Sequence, residues 1–382
     1  MKKIEEGEVI MLVIKEIEKK RDIKKFVDFP NKLYKDNPYY IPPFFGDELN
    51  LLNKKKNAAY EYCETKLFLA YRDGKIVGRI CALINHAYNE KKNLKQIRFN
   101  RFDVIDDLEV TKALFSKVIE WAKERGLNQI IGPIGFNDLD KQGMLIEGFE
   151  EYGNTITLYN HPYYPKHLEA LGFVKDVDWV EYQIFMPKDK GEKVNRLANV
   201  ISKRYGYKVV KLKKRKEIGP YIKRAFNIIN ESFEHLYGVV PITEKQIDAV
   251  VKQFVTLINM EFLFLVTNKE DELIGFGILA PSLNEATKKS NGRLFPFGMF
   301  RALRALKKCE VLDMYLIAVK PAYHNLGVNA LILAEGIKAA IRNNVKLAET
   351  GPELEDNTQV RSQWKDFEHR QHKRRRSYKL DI

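Results

Sequence analysis

Short apolar runs of strand-like composition alternate along the chain with longer stretches that place an apolar residue every third or fourth position. The run "VIMLVIKEI" predicts a strand and "DIKKFVDFPNKLY" a helix. "KLFLAYRDGKIVGRICALIN" predicts a hairpin turning on Asp73 and Gly74. A strand "QIRFNRFDVI" then leads into the amphipathic helix "EVTKALFSKVIEWAKERG", with Val110, Leu114, Val118 and Trp121 on one face. The strand "LNQIIGP", a glycine-rich loop, the short helix in "LYNHPYYPKHLEALGF" and the strand "VEYQIFM" complete this set.

After the polar stretch "PKDKGEKVNRLANVISKRYG" the same order returns. "YKVVKLKK" and "IGPYIKRAFNIINESF" predict strand and helix, and "EFLFLVTNKEDELIGFGILAP" a hairpin. The strand "VLDMYLIAV" precedes the helix "GVNALILAEGIKAAIRNN", with Ala330, Ala334, Ile337 and Ile341 on one face, and "VKLAETGP" is the next strand. Both copies reach a Gly-Pro pair, at Gly132-Pro133 and Gly351-Pro352, followed by Asn137 and Asn357. The pattern is an internal repeat, giving a first unit over 1–187, a linker over 188–205 and a second unit over 206–382. Strands paired through tight turns make each unit α+β with a mixed sheet flanked by helices, and exclude a doubly wound Rossmann sheet. "GFGILA" matches a dinucleotide fingerprint only in letters, because Pro281 follows where a helix should open.

Composition narrows the setting. With 45% hydrophobic residues the 382-residue chain can bury sizeable cores. Cys63, Cys81 and Cys309 have no metal-ligand or disulfide spacing, so neither a structural zinc nor any other metal is expected. No signal h-region or membrane-length apolar run occurs, which makes a cytoplasmic protein with no membrane segment the expectation. The net charge of +14 favours anionic partners in general. The tail "HRQHKRRRSYKLDI" is the sharpest basic cluster. It lacks the interleaved aromatics of a nucleic-acid surface and is expected to be a solvated final strand, so a nucleic-acid partner is not expected.

One junction carries candidate chemistry. In "VKPAYHNLGVNALI" a strand crosses a Pro and a Gly into a helix, and no Asp or Glu occurs between Asp313 and Glu335. A helix N-terminus with free N–H groups, no carboxylate and a glycine for close approach is an anion site, and Lys320 and His324 add donors. The matching junction of the first unit, "RFDVIDDLEVTKALF", has no glycine and surrounds its helix start with Asp103, Asp106, Asp107 and Glu109. Only the second unit is expected to hold a phosphorylated cofactor.

"LIAVKPAYHNLGVNALIL" resembles the pyrophosphate-binding segment of the GNAT superfamily of acyl-CoA N-acyltransferases. Val319, Pro321 and Gly327 match its pattern, while His324 stands where Arg or Gln is usual and Asn329 where Gly or Ala is usual. The resemblance extends over about 206–382, with a degenerate copy over the first unit, and implies two tandem GNAT-like domains. It implies acetyl-CoA or another acyl-CoA as co-substrate, with the pantetheine arm on the backbone of Ala318 and Val319. The pyrophosphate would lie on the N–H groups of Asn325, Leu326, Gly327, Val328, Asn329 and Ala330, with His324 also in the cofactor site and Asn357 beside the pantetheine. It also implies acyl transfer to a small-molecule or peptide amine. Asp313, Tyr315 and Glu349 are the base candidates; by strand alternation Asp313 and Tyr315 share one face, with Leu312, Met314 and Leu316 on the other.

The family's usual acid, a Tyr, is replaced by Trp364, whose indole cannot protonate a thiolate. A non-catalytic acyl-CoA sensor or scaffold is therefore the alternative. Acceptor-side loops are expected within 36–60, 132–153 and 281–308. The basic amphipathic stretch "NGRLFPFGMFRALRALKKCE" in the last of these is either a packing helix or a binder of an acidic surface.

Overall fold

The computed structural model describes residues 11–137, 139–254, 258–307 and 310–382; Cys309 and the start of the first predicted strand lie outside them. The first half supplies β1 (Leu12–Glu16), β2 (Cys63–Arg72), β3 (Lys75–Asn85), β4 (Gln96–Val104), β5 (Gln129–Gly132), β6 (Met144–Glu147) and β7 (Val174–Phe185). The second supplies β8 (Lys208–Val210), β9 (Leu263–Thr267), β10 (Leu273–Pro281), β11 (Val311–Val319), β12 (Leu347–Thr350), β13 (Glu353–Leu354) and β14 (His369–Asp381). Asp73 and Gly74, at φ 50° and 72°, make the two-residue turn that fixes the β2–β3 register.

All these strands form one mixed sheet, in the order β1-β2-β3-β4-β5-β14-β7-β12-β11-β10-β9-β8, with β6 and β13 attached to β14 and β7. The closing strands are exchanged: β7 of the first half lies against β12 of the second, and β14 of the second lies against β5 of the first. The two also pair with each other from His369↔Ile184 to Lys379↔Val174. Alternation specifies a strand but not its neighbour, so the exchange is not readable in the pattern.

This placement corrects the expectation for the basic tail. It is an interior strand, with His372, Lys373 and Arg375 buried. Arg374 and Arg376 bind Asp178, and Arg375 binds Glu181. The acids of β7 neutralise the run, because a charge removed from water needs a partner.

In the first half, Val110, Leu114, Val118 and Trp121 are all buried, as their spacing predicts. The second-half helix Val328–Arg342 differs. Val328, Leu331, Ile332, Ala334, Ile337, Ala339 and Ala340 are buried, while Ile341 is exposed. The cause is a second partner. Residues 188–205, expected to be linker, contain the helix Glu192–Tyr205, which runs antiparallel along it with Gly191 against Ile337 and Ile201 against Gly327. Among the described residues no helix is long and apolar enough to cross a membrane.

Candidate active site

β11 pairs in parallel with β12 only from Val311 to Met314. On its other side, Met314 faces Leu279 and Leu316 faces Ile278, so Tyr315 is an extra, bulged residue. The bulge corrects the simple alternation. Leu312 and Met314 pack toward the Val328–Arg342 helix, but Leu316 and Ala318 turn to the opposite core, beside Ile228 and Ile229. Beyond Met314 the edge of β11 toward β12 is unpaired. Lys320 N–H donates across to Ile274, so by alternation the polar groups of Val319 and Ile317 point into this opening. The Val319 carbonyl accepts from Ser232 Oγ at 2.8 Å and lies 2.9 Å from His324 Nε2.

At the helix start, Gly327 has φ 81° and Asn325 φ 61°. No side chain caps this end, and no acid lies in its first turn. Among the described residues the N–H groups of Asn325, Gly327, Val328 and Asn329 donate to nothing, whereas Leu326 and Ala330 donate to Tyr323 and Gly327. Four free donors beside a carboxylate-free helix end fit an anionic group. The side chains do less than the sequence suggests. Lys320 is paired with Glu272, and His324 is turned back onto its own strand. Gly327 also has a packing reason, since a Cβ there would run into Ile201 Cδ1.

Asp313 and Glu349 face each other across β11 and β12. Register extends the row to Gln183 on β7 and Arg370 on β14. Gln183 donates to Glu349 at 2.7 Å and accepts from Arg370 at 2.8 Å, and Arg370 forks onto Glu151 with two 2.8 Å bonds. Asp313 is fully buried and accepts from Asn154 Nδ2 at 3.0 Å; its Oδ2 has no partner. Burial, reinforced by the charge of Glu349, pushes the Asp313 carboxyl up to about 7, against the pull of Asn154 and of the nearby Ser282 hydroxyl. Asn154 follows the glycine-rich loop of the first half, so both halves build this site. Tyr315 stands at the bulge, partly exposed.

Two neighbours escaped sequence reasoning. His372 and Lys373 lie at a register shift in β14, and both ring nitrogens of His372 and the Nζ of Lys373 are buried without hydrogen bonds. Lys373 Nζ is 3.6 Å from Glu181. Burial, with the charge of Lys373, drives His372 down to about 4. The unfolded imidazole takes its proton first as pH falls, so stability is lost between about 6.5 and 4, by up to about 3 kcal/mol. Urea unfolding of His372→Gln is expected to show a flatter pH profile in that window; an unaltered slope would assign the acid sensitivity elsewhere.

Near the opening, Trp364 is buried and its indole donates to Glu353 at 3.1 and 3.2 Å. Burial raises the Glu353 carboxyl to about 7 against Trp364 and Arg361. A carboxyl able to carry a proton at neutral pH therefore stands beside Trp364. Asn357 caps the helix Thr358–Ser362, accepting from Val360 N–H.

The first half repeats the architecture with its opening filled. β4 pairs with β5 only from Gln96 to Arg98, and Arg101 and Phe102 together oppose one residue of β3. Tyr164 Oη accepts from Val104 N–H at 2.9 Å, and Tyr163 Oη donates to the Val104 carbonyl at 2.7 Å. Buried Arg101 is held by Glu48 and Asp140. Asp107 takes the N–H groups of Glu109 and Val110, closing the helix end.

No family model matches the chain. Among solved structures, a tandem GNAT protein from the clavulanic acid biosynthesis pathway superposes over 97% of this chain and 98% of its own, with TM-score 0.57 and 12% identity. The chain has a tandem GNAT fold. A GCN5-related N-acetyltransferase from Sphaerobacter thermophilus superposes over 97% and 95% of the two chains, with TM-score 0.52 and 10% identity. In sequence, the chain is 29% identical to Protein YghO of Escherichia coli (strain K12) over 375 residues, 95% of this chain and 94% of that one. It is 25% identical to a bacterial ceramide synthase of Caulobacter vibrioides (strain NA1000 / CB15N) over 290 residues, 75% and 74% of the two chains.

Proposed function

We propose that this protein is an acyl-CoA-dependent N-acyltransferase with one working site, in the second half. The observation that carries the reading is Asp313, a fully buried carboxyl pushed to about 7, on the strand whose later part leaves an unpaired edge and leads to a helix start with free N–H groups. In this reading the N–H groups of Asn325, Gly327, Val328 and Asn329 hold the pyrophosphate, and the edge of β11 at Ile317 and Val319 orients the pantetheine, since the backbone of Ala318 is paired with β10 instead. The thioester is the acyl donor. Asp313, oriented by Asn154, takes a proton from the acceptor ammonium, and the freed amine attacks the carbonyl carbon. The C–S bond breaks, the Glu353 carboxyl protonates the departing sulfur, and the second proton of the attacking nitrogen passes through water to the Glu353 carboxylate, leaving a neutral amide and CoA thiol. A group near 7 is matched to proton transfer at neutral pH. Glu349 and Tyr315 line the acceptor side.

The relative named as a ceramide synthase makes a lipid amine the first acceptor class to test, since ceramide is an amide of one. The assay measures CoA release, with a thiol reagent, from acyl-CoA of increasing chain length mixed with a panel of amines that includes long-chain amino alcohols. Amine-dependent release with amide formation is expected. Tight acyl-CoA binding without release from any pair would overturn catalysis in favour of a sensor.

A further inference from the structure

The excursion between β10 and β11 leaves the second half and settles on the first. Gly292 accepts from Phe45 N–H at 2.9 Å, Arg293 pairs with Asp28 at 2.8 Å, and Asn284 accepts from Thr155 N–H at 3.2 Å. It thus borders the seam that brings Asn154 to Asp313. Its outer surface is unlike the rest of the molecule. Phe295 is 79%, Phe297 67%, Phe300 73% and Leu303 47% exposed. Folding leaves three phenylalanines in water within one short segment.

The cations lie beside these rings. The helix Gly298–Ala305 turns Gly298 and Ala302 inward, which directs Phe300 and Leu303 outward, with exposed Arg301, Arg304 and Lys307 flanking them. Arg304 and Lys307 have no carboxylate partner among the described residues, and Arg301 donates only to the Lys289 carbonyl. No Asp or Glu occurs between Glu285 and Glu310. We infer that this face docks on the surface of an anionic phospholipid bilayer, with Phe295, Phe297, Phe300 and Leu303 entering the headgroup–acyl boundary and Arg301, Arg304 and Lys307 meeting lipid phosphates.

A second copy of the chain fits poorly, because a two-fold contact through this patch would set like charges against one another. An acidic protein would satisfy the arginines but leave three aromatic side chains needing a matching apolar pocket. A bilayer interface supplies phosphate and hydrocarbon in the required order along one direction. Docking in this orientation brings the seam between the halves close to the lipid. The inference concerns the surface alone and stands whether or not Asp313 is a catalytic base.

Co-sedimentation of the full chain with phosphatidylcholine vesicles, with and without about one-third phosphatidylglycerol, tests it. At least about tenfold stronger binding to the anionic vesicles is expected, weakening as salt rises. Phe295→Ser with Phe300→Ser, and separately Arg301→Gln with Arg304→Gln, should each reduce that binding at least about tenfold. A second measurement does not depend on loss. Trp121, Trp179 and Trp364 are buried, so a tryptophan introduced by Phe300→Trp should be quenched selectively by brominated acyl chains. Equal affinity for neutral vesicles, undiminished binding by either double variant, or no quenching would overturn the inference. So would a wild type that dimerises through the patch without binding vesicles.

Discussion

Asp313→Asn is expected to lower the rate of amide formation by about 10²–10⁴-fold while leaving acyl-CoA affinity within about twofold. It is also expected to make the protein more stable at pH 8. The sign follows from linkage. The carboxyl rises from 3.8 to about 7 on folding, so the folded state favours the protonated form. Its contribution is complete in acid and is lost as pH climbs through about 7. At pH 8 the wild type holds a buried carboxylate with one unpartnered oxygen, and Asn removes that charge without altering shape. A gain of about 2 kcal/mol is expected, vanishing toward pH 4. Thermal unfolding at the two pH values, with titration of acyl-CoA and the CoA-release assay, reads all three quantities. Undiminished turnover would remove Asp313 from the chemistry. Lost turnover without the pH-dependent gain would point to damaged packing at Asn154 instead.

Asn329→Asp carries the second large expectation. It adds one negative charge, with no change of size, among the free N–H groups of the helix Val328–Arg342. A carboxylate in a first helical turn interacts favourably with the helix dipole, worth about 0.5 kcal/mol, but repels a pyrophosphate. CoA affinity should therefore fall at least about tenfold while the melting temperature holds or rises, with Asn329→Ser as the uncharged control. The first half already carries acid at its own helix end, with Asp107 at the cap and Glu109 at the second helical position, where the second half has Asn329. Gly327→Asp is a poorer probe, because Ile201 and the left-handed backbone would confound binding with stability. Equal CoA affinity in Asn329→Asp and Asn329→Ser would mean that the pyrophosphate lies elsewhere.

Much of this was legible where the signal is local. The two copies of the element order, the hairpin at Asp73-Gly74, the carboxylate-free helix end and Asp313 and Glu349 as separate candidate carboxyls can all be read from neighbours in sequence; that the two face each other depends on strand register. What could not be read depends on distant partners. Lys373 and Arg375 look solvated until Glu181 is known to lie beside them. Asn154 cannot be assigned to Asp313 without the seam between the halves. Tyr315 obeys alternation in the sequence and breaks it in the sheet, because a bulge depends on the register of the neighbouring strand. The indole of Trp364 is readable in the sequence as a group that cannot donate a proton to a thiolate, while Glu353 beside it becomes a candidate only once its burial is known.

The exchanged closing strands make the order of synthesis matter. β5 leaves the ribosome early, yet its neighbour β14 is the last described strand to appear. Until then the first half carries an open edge, and β7 waits for partners on both sides. Neither half should survive as a separate fragment cut at the 188–205 helix, because each would lose the strand that completes its sheet. Contacts closing over such sequence distances make for slow folding, and a nascent chain stalled before residue 369 would present an unsatisfied strand edge to the cell's chaperones.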